Sequence, residues 1–500
     1  MNDVLPNWFY TAQQTRELDA GIIAEGISGF DLMQRAALAL WQNLLQRWPE
    51  GGQISVLCGG GNNAGDGYLL ARLAHQAGYQ VQVYWLTDPV QLKADAALAW
   101  QAALTAGVEI QPWTEAIRLQ GVVVDALLGT GLQGEVRAPF TEAIKAINAS
   151  GLAVLAVDLP SGLHADRGVP LGMAVKATLT LSFIGLKPGL CMADGPDYCG
   201  ELRFAPLADL PRARPQPVAE RLSMALWQNC LGRRPRAAHK GLFGHLVLLG
   251  GDQGMGGAII LAAEAALRSG AGKVSVVTRD CHVMPLLARC PELMVKGVEQ
   301  PADAAGLIAA ADVLVIGPGL GRADWGLELL EMGLARKVPK VLDADALNTL
   351  AEMGDAGRAL GNTAIITPHP AEAARLLRIS TTEVQADRLK ALQRLVERWG
   401  CAVVLKGVGS LIAGPDEQAR PPALCTYGNP AMATAGMGDV LSGLAGALLA
   451  QGLTAPDAAR YAVLLHALAG DQAAAGDQRG LLASDLFLSL RQLLNQRDSE

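Results

Sequence analysis

Three features that this 500-residue sequence lacks narrow the range of functions it can have. Basic residues do not outnumber acidic ones. The 41 Lys and Arg and 48 Asp and Glu give a net charge of −7, which argues against a nucleic-acid-binding surface. No apolar run reaches the roughly 18 residues of a membrane span. The most apolar stretch, residues 440–449, contains Ser442 and two glycines and predicts a buried helix.

Signals for export are absent as well. The N-terminus lacks the basic segment and apolar run of a secretory signal. The eight cysteines never form a C-x-x-C pair, so they predict reduced, mostly buried thiols. We therefore expect a cytoplasmic protein with neither a membrane nor a nucleic-acid partner.

Apolar residues and glycine are more frequent than in an average soluble protein. Hydrophobic residues make up 50% of the chain and charged residues only 18%, with a mean hydropathy of +0.23. So much apolar surface must be buried in large cores or between subunits, and we expect a homo-oligomer. The 57 glycines follow no repeat, which excludes a collagen-like chain. The length predicts two domains.

Short apolar strands alternate with helical patterns in the first half. The predicted strands are 54–58, 79–86, 122–125 and 152–157, and the predicted helix is 68–77. Continuously apolar strands of this kind predict a parallel sheet covered on both faces, in a Rossmann-like three-layer αβα domain. Glycines follow several strand ends, where open α/β sheets bind ligands.

A proline-rich break separates the two halves. Pro206, Pro211, Pro215 and Pro217 predict a linker at residues 210–218, and hence domains of residues 1–214 and 215–500. The second half restarts with its own α/β pattern. Its predicted strands are 246–249, 273–278, 313–316, 340–342, 364–367 and 402–406, and its predicted helices include 258–269, 439–450 and 456–475.

The first motif is a glycine-rich turn at residues 58–67, between a strand and a helix. Backbone N–H groups in such a turn can bind phosphate. It is neither a G-x-G-x-x-G motif nor a Walker loop, and it could be a purely structural turn. Asn62, Asn63 and Asp66 favour a ligand, because a turn needs fewer polar side chains.

Two aspartates end strands in the same half. Asp125 and Asp158 should converge on the crevice at the carboxyl ends of the strands, where one could act as a base and another could hold a cation. A single such aspartate is more often a helix cap. Two of them beside the glycine-rich turn favour a site.

Together with residues 125–131, 157–162 and 182–189, the turn resembles the NAD(P)H-hydrate epimerase domain over about residues 10–210. The resemblance implies that hydrated nucleotide binds to Asn62, Asn63, Ala64, Gly65, Asp66, Gly129, Thr130, Gly131, Leu132, Gln133, Gly134, Glu135 and Asp158. It implies K⁺ at Asn63, Asp125 and Ser161, Asp158 as the acid/base, and Lys187 close by. Ala64 and Ala37 stand where the family commonly has glycine.

The motif at residues 428–439 is the most informative one in the second half. Ala435, Gly436 and Gly438 would expose N–H groups at a helix start beside the carboxylate of Asp439. This pattern suits phosphoryl transfer, with a base for the accepting hydroxyl. An aspartate capping a helix would look similar, and His369 between two prolines could be merely hydrogen-bonded.

From about residue 239 onward, the chain resembles the ribokinase-like fold, and more closely the ADP/ATP-dependent NAD(P)H-hydrate dehydratases. The motifs at residues 254–258, 317–321, 343–348, 367–370 and 433–439 carry this resemblance. It implies substrate contacts at Ala258, Gly319, Gly321, His369 and Asp439, and nucleotide contacts at Lys406, Gly407, Val408, Gly409, Ser410 and Gly438. Glu372 falls where ribokinase-like enzymes have a Mg²⁺-binding acid, and Ala431 replaces a usual glycine.

These resemblances predict a fused repair enzyme. Its first domain would epimerise R- and S-NADHX and NADPHX, with K⁺. Its second domain would dehydrate the S form at the expense of ADP, with Mg²⁺. One alternative is a ribokinase-like kinase of a vitamin-type alcohol, with a nucleotide-binding accessory domain. Another is that the first domain is a binding module without activity.

Overall fold

The computed structural model describes residues 5–50, 52–227, 230–354, 359–415 and 420–496. The chain divides into two compact units, Met1–Glu220 and Arg221–Glu500. Each unit has its own sheet, with a run of parallel strands, and its own hydrophobic core. Within the described ranges, no helix has both the length and the apolar character needed to cross a membrane.

The first unit is built on a parallel sheet with helices between most of its strands. Its strands are β1 (Trp8–Phe9), β2 (Gln53–Cys58), β3 (Gln80–Trp85), β4 (Glu109–Pro112), β5 (Val122–Ala126), β6 (Val154–Val157), β7 (Leu179–Phe183) and β8 (Glu201–Ala205), and β9 (Ala219–Arg221) crosses the division. Its helices are α1 (Ala12–Ala24), α2 (Gly29–Arg47), α3 (Asn62–Gln76), α4 (Ala94–Thr105), α5 (Phe140–Ala149) and α6 (Gly195–Cys199). The sheet order is β4-β3-β2-β5-β6-β7-β8, with every pair parallel.

This order reverses direction between β2 and β5. A crevice forms at such a switch point, outside the carboxyl ends of the strands, and ligands of open α/β sheets bind there. Neighbouring strand residues alternate between two cores. Val56 and Val124 belong to the cluster under α2 and α3, whereas Leu57 and Val123 belong to the cluster under α5. The predicted three-layer arrangement is confirmed.

The second unit also combines a sheet with helices, and it contains more strands and helices than the first. Its strands are β10 (His245–Leu249), β11 (Lys273–Thr278), β12 (Met294–Gly297), β13 (Val313–Ile316), β14 (Lys340–Leu342), β15 (Ala364–Ile366), β16 (Ala402–Leu405), β17 (Leu411–Ala413) and β18 (Ala423–Leu424). Its helices are α7 (Met224–Trp227), α8 (Gly256–Arg268), α9 (Val283–Arg289), α10 (Ala305–Ala309), α11 (Asp324–Leu334), α12 (Asp345–Met353), α13 (Pro370–Leu377), α14 (Thr381–Ala386), α15 (Arg388–Trp399), α16 (Met437–Ala450), α17 (Ala455–Ala474) and α18 (Leu486–Asn495).

Within this unit the strand order is β18-β17-β16-β15-β14-β13-β10-β11-β12. Strands β10 to β16 pair in parallel, whereas β17 and β18 are antiparallel additions. The apolar helix α16 packs against α8, β13 and β14. It is therefore a core helix, as its interrupted apolar run predicted.

Two helices begin earlier than the sequence predicted. The helix expected at 68–77 starts at Asn62, because the glycine-rich segment itself forms the first turn after the N-cap Gly61. The helix expected at 439–450 starts at Met437, after Gly436 at φ +89°. In both cases the motif residues lie on the first turn of a helix, where free N–H groups and the positive end of the helix dipole are found.

Candidate functional sites

The first candidate site lies at the carboxyl ends of β2, β5 and β6. Gly59 follows β2 so closely against the carbonyl oxygen of Leu127 that no side chain fits there. In the first turn of α3, the Asn63 Nδ2 donates to the carbonyl oxygens of Val157, at 2.9 Å, and Leu128, at 3.5 Å. The amide of Asn63 therefore connects the turn to the ends of β5 and β6.

A buried carboxylate and hydroxyl lie at the same point. Asp125 Oδ1 accepts from Ser161 Oγ at 2.6 Å, and Oδ2 accepts from the Ser161 backbone N–H at 2.8 Å. Both side chains are fully buried, and burial raises the pKa of Asp125 to about 6. Among the described residues, no basic side chain pairs with this carboxylate. An oxygen-rich cluster with one uncompensated negative charge fits a hard cation.

Asp158 follows β6 in a left-handed conformation, at φ +66°. Its Oδ1 accepts from the Lys187 ammonium, from the Phe183 N–H at 3.0 Å and from Ser182 Oγ at 3.3 Å. Lys187 is fully buried and also donates to the Phe183 carbonyl at 3.1 Å. Backbone strain at a residue held by so many contacts is typical of functional sites.

Asp66 and the loop at residues 129–135 complete the predicted set. Burial, and the charges of Asp158 and Asp19, hold the pKa of Asp66 well above its usual value. Gly129 lies against Asn63, since a Cβ there would be 2.5 Å from the amide oxygen. Beyond it, Gly131, Gln133, Gly134 and Glu135 are exposed, and Thr130 and Leu132 are half-buried. Ala64 is helical, so the alanine there carries no left-handed strain.

The second candidate site lies where β14, β15 and β16 end beside the N-terminus of α16. Asp343 is the hub of this site. Its Oδ1 accepts from Lys406 Nζ at 2.7 Å and its Oδ2 from Ser442 Oγ at 2.6 Å. Gly438 is at the same point, because a Cβ there would lie 3.4 Å from the Lys406 ammonium.

Asp439 stands on the first turn of α16 beside this pair. Burial and the negative charge of Asp343 raise its pKa to about 7, against the opposing effect of Lys406. The pKa of Lys406 is also raised: burial opposes this, but the charges of Asp343, Glu372 and Asp439 outweigh it. A carboxylate with a pKa near 7 is suited to general base catalysis at neutral pH.

His369 and Glu372 form a capping box at the start of α13. Glu372 Oε2 accepts from the His369 N–H at 2.8 Å, and Oε1 lies 3.2 Å from His369 Nε2. Lys406 Nζ is 3.9 Å from Glu372 Oε2. Both carboxylate oxygens thus already have donors. Across the described ranges, no three His, Cys, Asp or Glu side chains converge as a metal site.

The predicted substrate glycines of this unit meet beside α8. Gly319, at φ +59°, lies against Ala258, where a Cβ would be 3.4 Å from the alanine Cβ. Gly321, at φ +74°, donates its N–H to Asp345 Oδ2 at 3.0 Å. Left-handed glycines let this backbone approach both α8 and the Asp343–Asp345 segment.

Comparison with known proteins decides the family. Residues 29–189 match the family described as YjeF-related protein N-terminus, and residues 246–492 match the family described as NAD(P)H-hydrate dehydratase. A bifunctional NAD(P)H-hydrate repair enzyme of Coxiella burnetii is 48% identical over 97% of this chain and 99% of its own length. The chain belongs to the bifunctional NAD(P)H-hydrate repair enzymes. The family prediction is confirmed.

Other relatives agree with this assignment. The repair enzyme of Escherichia coli is 43% identical and covers 94% of this chain and 90% of its own length. A crystal structure of a ribokinase-like superfamily protein from Enterococcus faecalis V583 covers 55% of this chain and 94% of its own, with 33% identity and a TM-score of 0.50. The prediction of a ribokinase-like fold for the second unit is confirmed, and the family favours repair over a small-molecule kinase.

Several residues that shape the repair enzyme's second site were not among the predicted site residues. Asp343 is the first residue of the motif at residues 343–348, and Ala344, at φ +48°, follows it. Ser442 lies inside an apolar run, and the only sequence feature that points to it is that it is polar. His466 Nε2 donates to the Met437 carbonyl at 2.9 Å, and burial lowers the pKa of this histidine to about 4.

Proposed function

We propose that the first unit epimerises R- and S-NAD(P)HX and that the second unit dehydrates S-NAD(P)HX to NAD(P)H at the expense of ADP. The family supports both activities in one chain. The half-buried Asp439 on the first turn of α16, beside the Lys406–Asp343 pair, is the observation that supports the second reaction most directly. NADHX and NADPHX are both expected substrates, and a homo-oligomer in the cytoplasm stays a prediction.

Epimerisation leaves the composition unchanged: one bond to the hydroxyl-bearing ring carbon breaks and forms again on the opposite face, which needs acid/base assistance and no redox centre. Asp158 is the proposed acid/base, held in place by the buried Lys187. Asn63, Asp125 and Ser161 would hold K⁺, which would compensate the buried carboxylate and attract the nucleotide phosphates. The residues at 62–66 and 129–135 are the proposed binding surface for the hydrated nucleotide.

For dehydration, Asp439 would take the proton of the ring hydroxyl. The hydroxyl oxygen then attacks the β-phosphorus of ADP, and the bond to AMP breaks. The resulting phosphate ester is a better leaving group than hydroxide. Loss of phosphate and of a neighbouring ring proton forms the double bond, and the oxygen of the hydrate leaves on the phosphate. N–H groups at the start of α16, including that of Gly438, would stabilise the transferring group.

The residues present do not form a protein cage for Mg²⁺. Magnesium commonly uses one or two carboxylates together with substrate phosphates and water. We therefore propose that it enters with ADP, and Glu372 stays the predicted protein contact. Ala258, Gly319, Gly321 and His369 are the proposed contacts to the hydrate, and residues 406–410 with Gly438 are the proposed contacts to ADP.

A direct test supplies S-NADHX and ADP to the full-length protein and follows the return of NADH absorbance. We expect recovery with ADP and none without a nucleotide. The Asp158→Asn variant is the matched control, because it should leave repair of the S form intact. Absence of NADH recovery, together with a stable phosphorylated product from another alcohol, would support the kinase alternative.

A further inference from the structure

A buried arginine lies behind the loop at residues 406–410. Arg388 opens α15, and its side chain is 1% exposed. Its Nη2 lies 3.2 Å from the carbonyl oxygens of Leu405 and Lys406 and 3.4 Å from that of Gly409, and its Nη1 donates to Gln385 Oε1 at 2.8 Å. The guanidinium therefore lies on the inner side of the loop, and the loop's carbonyl groups point toward it.

Among the described residues, this guanidinium has no counter-ion. In the described part of the chain, no carboxylate pairs with Arg388, and its Nε has no hydrogen-bond partner. Burial lowers its pKa to about 10, so the group is still charged at neutral pH. A buried charge without a partner of opposite sign is costly. A bound anion on the other side of the loop would compensate it.

The loop at residues 406–410 presents backbone N–H groups that could bind such an anion. A trans peptide unit points its N–H opposite to its C=O. Since the carbonyl groups of Lys406 and Gly409 face the guanidinium, the N–H groups of Gly407 and Ser410 point away from it. Gly407 and Val408 are exposed, so this other side faces solvent. Backbone N–H groups that point to the same side of a turn can bind an anion.

Gly407 shows how closely the two parts fit. A Cβ at this position would lie 2.9 Å from Arg388 Nη1, and its φ is +136°. The backbone therefore lies directly against the guanidinium group. The guanidinium contacts the three carbonyls with Nη2 and Gln385 with Nη1, and a lysine ammonium cannot reproduce this geometry.

We propose that Arg388 is a positioning residue for the nucleotide: it holds the loop with its carbonyl groups inward and its N–H groups toward the phosphates of ADP. This inference rests on the proposed ADP site. Arg388 acts through the loop and touches neither the hydrated ring nor Asp439. Its loss should therefore weaken ADP binding and leave the binding of S-NADHX unchanged.

The test compares full-length Arg388→Met, Arg388→Lys and wild type by titrating ADP and S-NADHX separately. We expect the KM for ADP to rise about tenfold or more in Arg388→Met, as for loss of hydrogen bonds to a charged group, with the KM for S-NADHX within about twofold. Arg388→Lys keeps the charge and should recover part of the loss. The matched control is Arg394→Met, on the exposed side of the same helix, which should behave as wild type.

The outcomes separate this inference from the proposed function. If wild type shows no ADP-dependent recovery of NADH, the proposed function fails. If wild type is active and folded Arg388→Met keeps its KM for ADP, or both KM values rise by the same factor, the positioning role is wrong. Should Arg388→Met not fold, the half-exposed Gln385→Ala removes the support of Nη1. It should raise only the KM for ADP, by about two- to threefold, and an unchanged KM would equally contradict the proposal.

Discussion

Both sites place an aspartate at the carboxyl end of a parallel sheet, but the lysines beside them are used differently. Asp158 contacts the buried Lys187 directly, whereas Lys406 bonds to Asp343 and leaves Asp439 on a neighbouring helix turn. Asp158 is thus held as one half of an ion pair. Asp439 instead has a pKa raised to about 7 by burial and by Asp343. Its environment, more than its residue type, suits it to the proposed role of base.

The largest expected effect is the loss of one activity when the aspartate of its own site is substituted. Asp439→Asn should lower the rate of S-form repair by about 10³-fold, since a general base contributes on the order of 10²–10⁴. It should leave epimerisation unchanged, whereas Asp158→Asn should do the reverse. Rates measured with pure R and S forms check both. Equal loss of both activities in either variant would contradict the division of labour between the units.

Removing the buried ammonium of the first site should cost both stability and activity. Lys187→Met leaves the carboxylate of Asp158 largely buried without its cation, and breaking such a pair costs about 3 kcal/mol or more. Denaturant unfolding should show this loss in the transition of the first unit, with epimerisation reduced as well. A transition that does not move would mean that the pair contributes little.

The second site should respond to pH through Asp439. The ionised form is the base, so kcat/KM for dehydration should rise with pH and level off above about 7. Asp343→Asn removes a negative neighbour and leaves Lys406 less compensated, and both changes favour the ionised carboxylate. The midpoint of the profile should therefore move to lower pH. An unmoved midpoint would show that Asp343 does not set the pKa of Asp439.

The sequence predicted the fold and many of the residues that meet in space, because strand-end carboxylates and glycine-rich turns are local signals. Asp125, Ser161 and Asn63 are brought together as expected, and so are Asp158 and Lys187. Their roles stay predictions. The links that the sequence did not reveal are long-range. Lys406 meets Asp343 across 63 positions, and Ser442 meets the same carboxylate across 99.

Some strands are not predicted from the sequence, for a related reason. Strands β4, β8 and β12 carry polar or half-buried residues, so they lack the apolar run that predicts a central strand. The sequence predicts residues 58–67 as a turn before a helix and a second helix from about residue 439, whereas α3 begins at Asn62 and α16 at Met437. In both places tertiary contacts decide the conformation: Asn63 bonds to Val157, and His466 bonds to Met437.

The smallest expected effect concerns an alanine where the family commonly has glycine. Ala64 is helical and fully buried in the first turn of α3. Ala64→Gly should therefore leave epimerisation within about twofold and lower the free energy of unfolding by about 0.5–1 kcal/mol, the usual cost of glycine in a helix. Faster epimerisation in the variant would show that the alanine constrains the turn.

Complementation between the two single-site variants tests the central claim most directly. R-NADHX is given with ADP to Asp158→Asn alone, to Asp439→Asn alone, and to an equal mixture of both. We predict no NADH above the uncatalysed rate from either variant, and recovery from the mixture, because the S form made by one protein is consumed by the other. A mixture as inactive as its parts, with each variant folded, would contradict two separable sites in one chain.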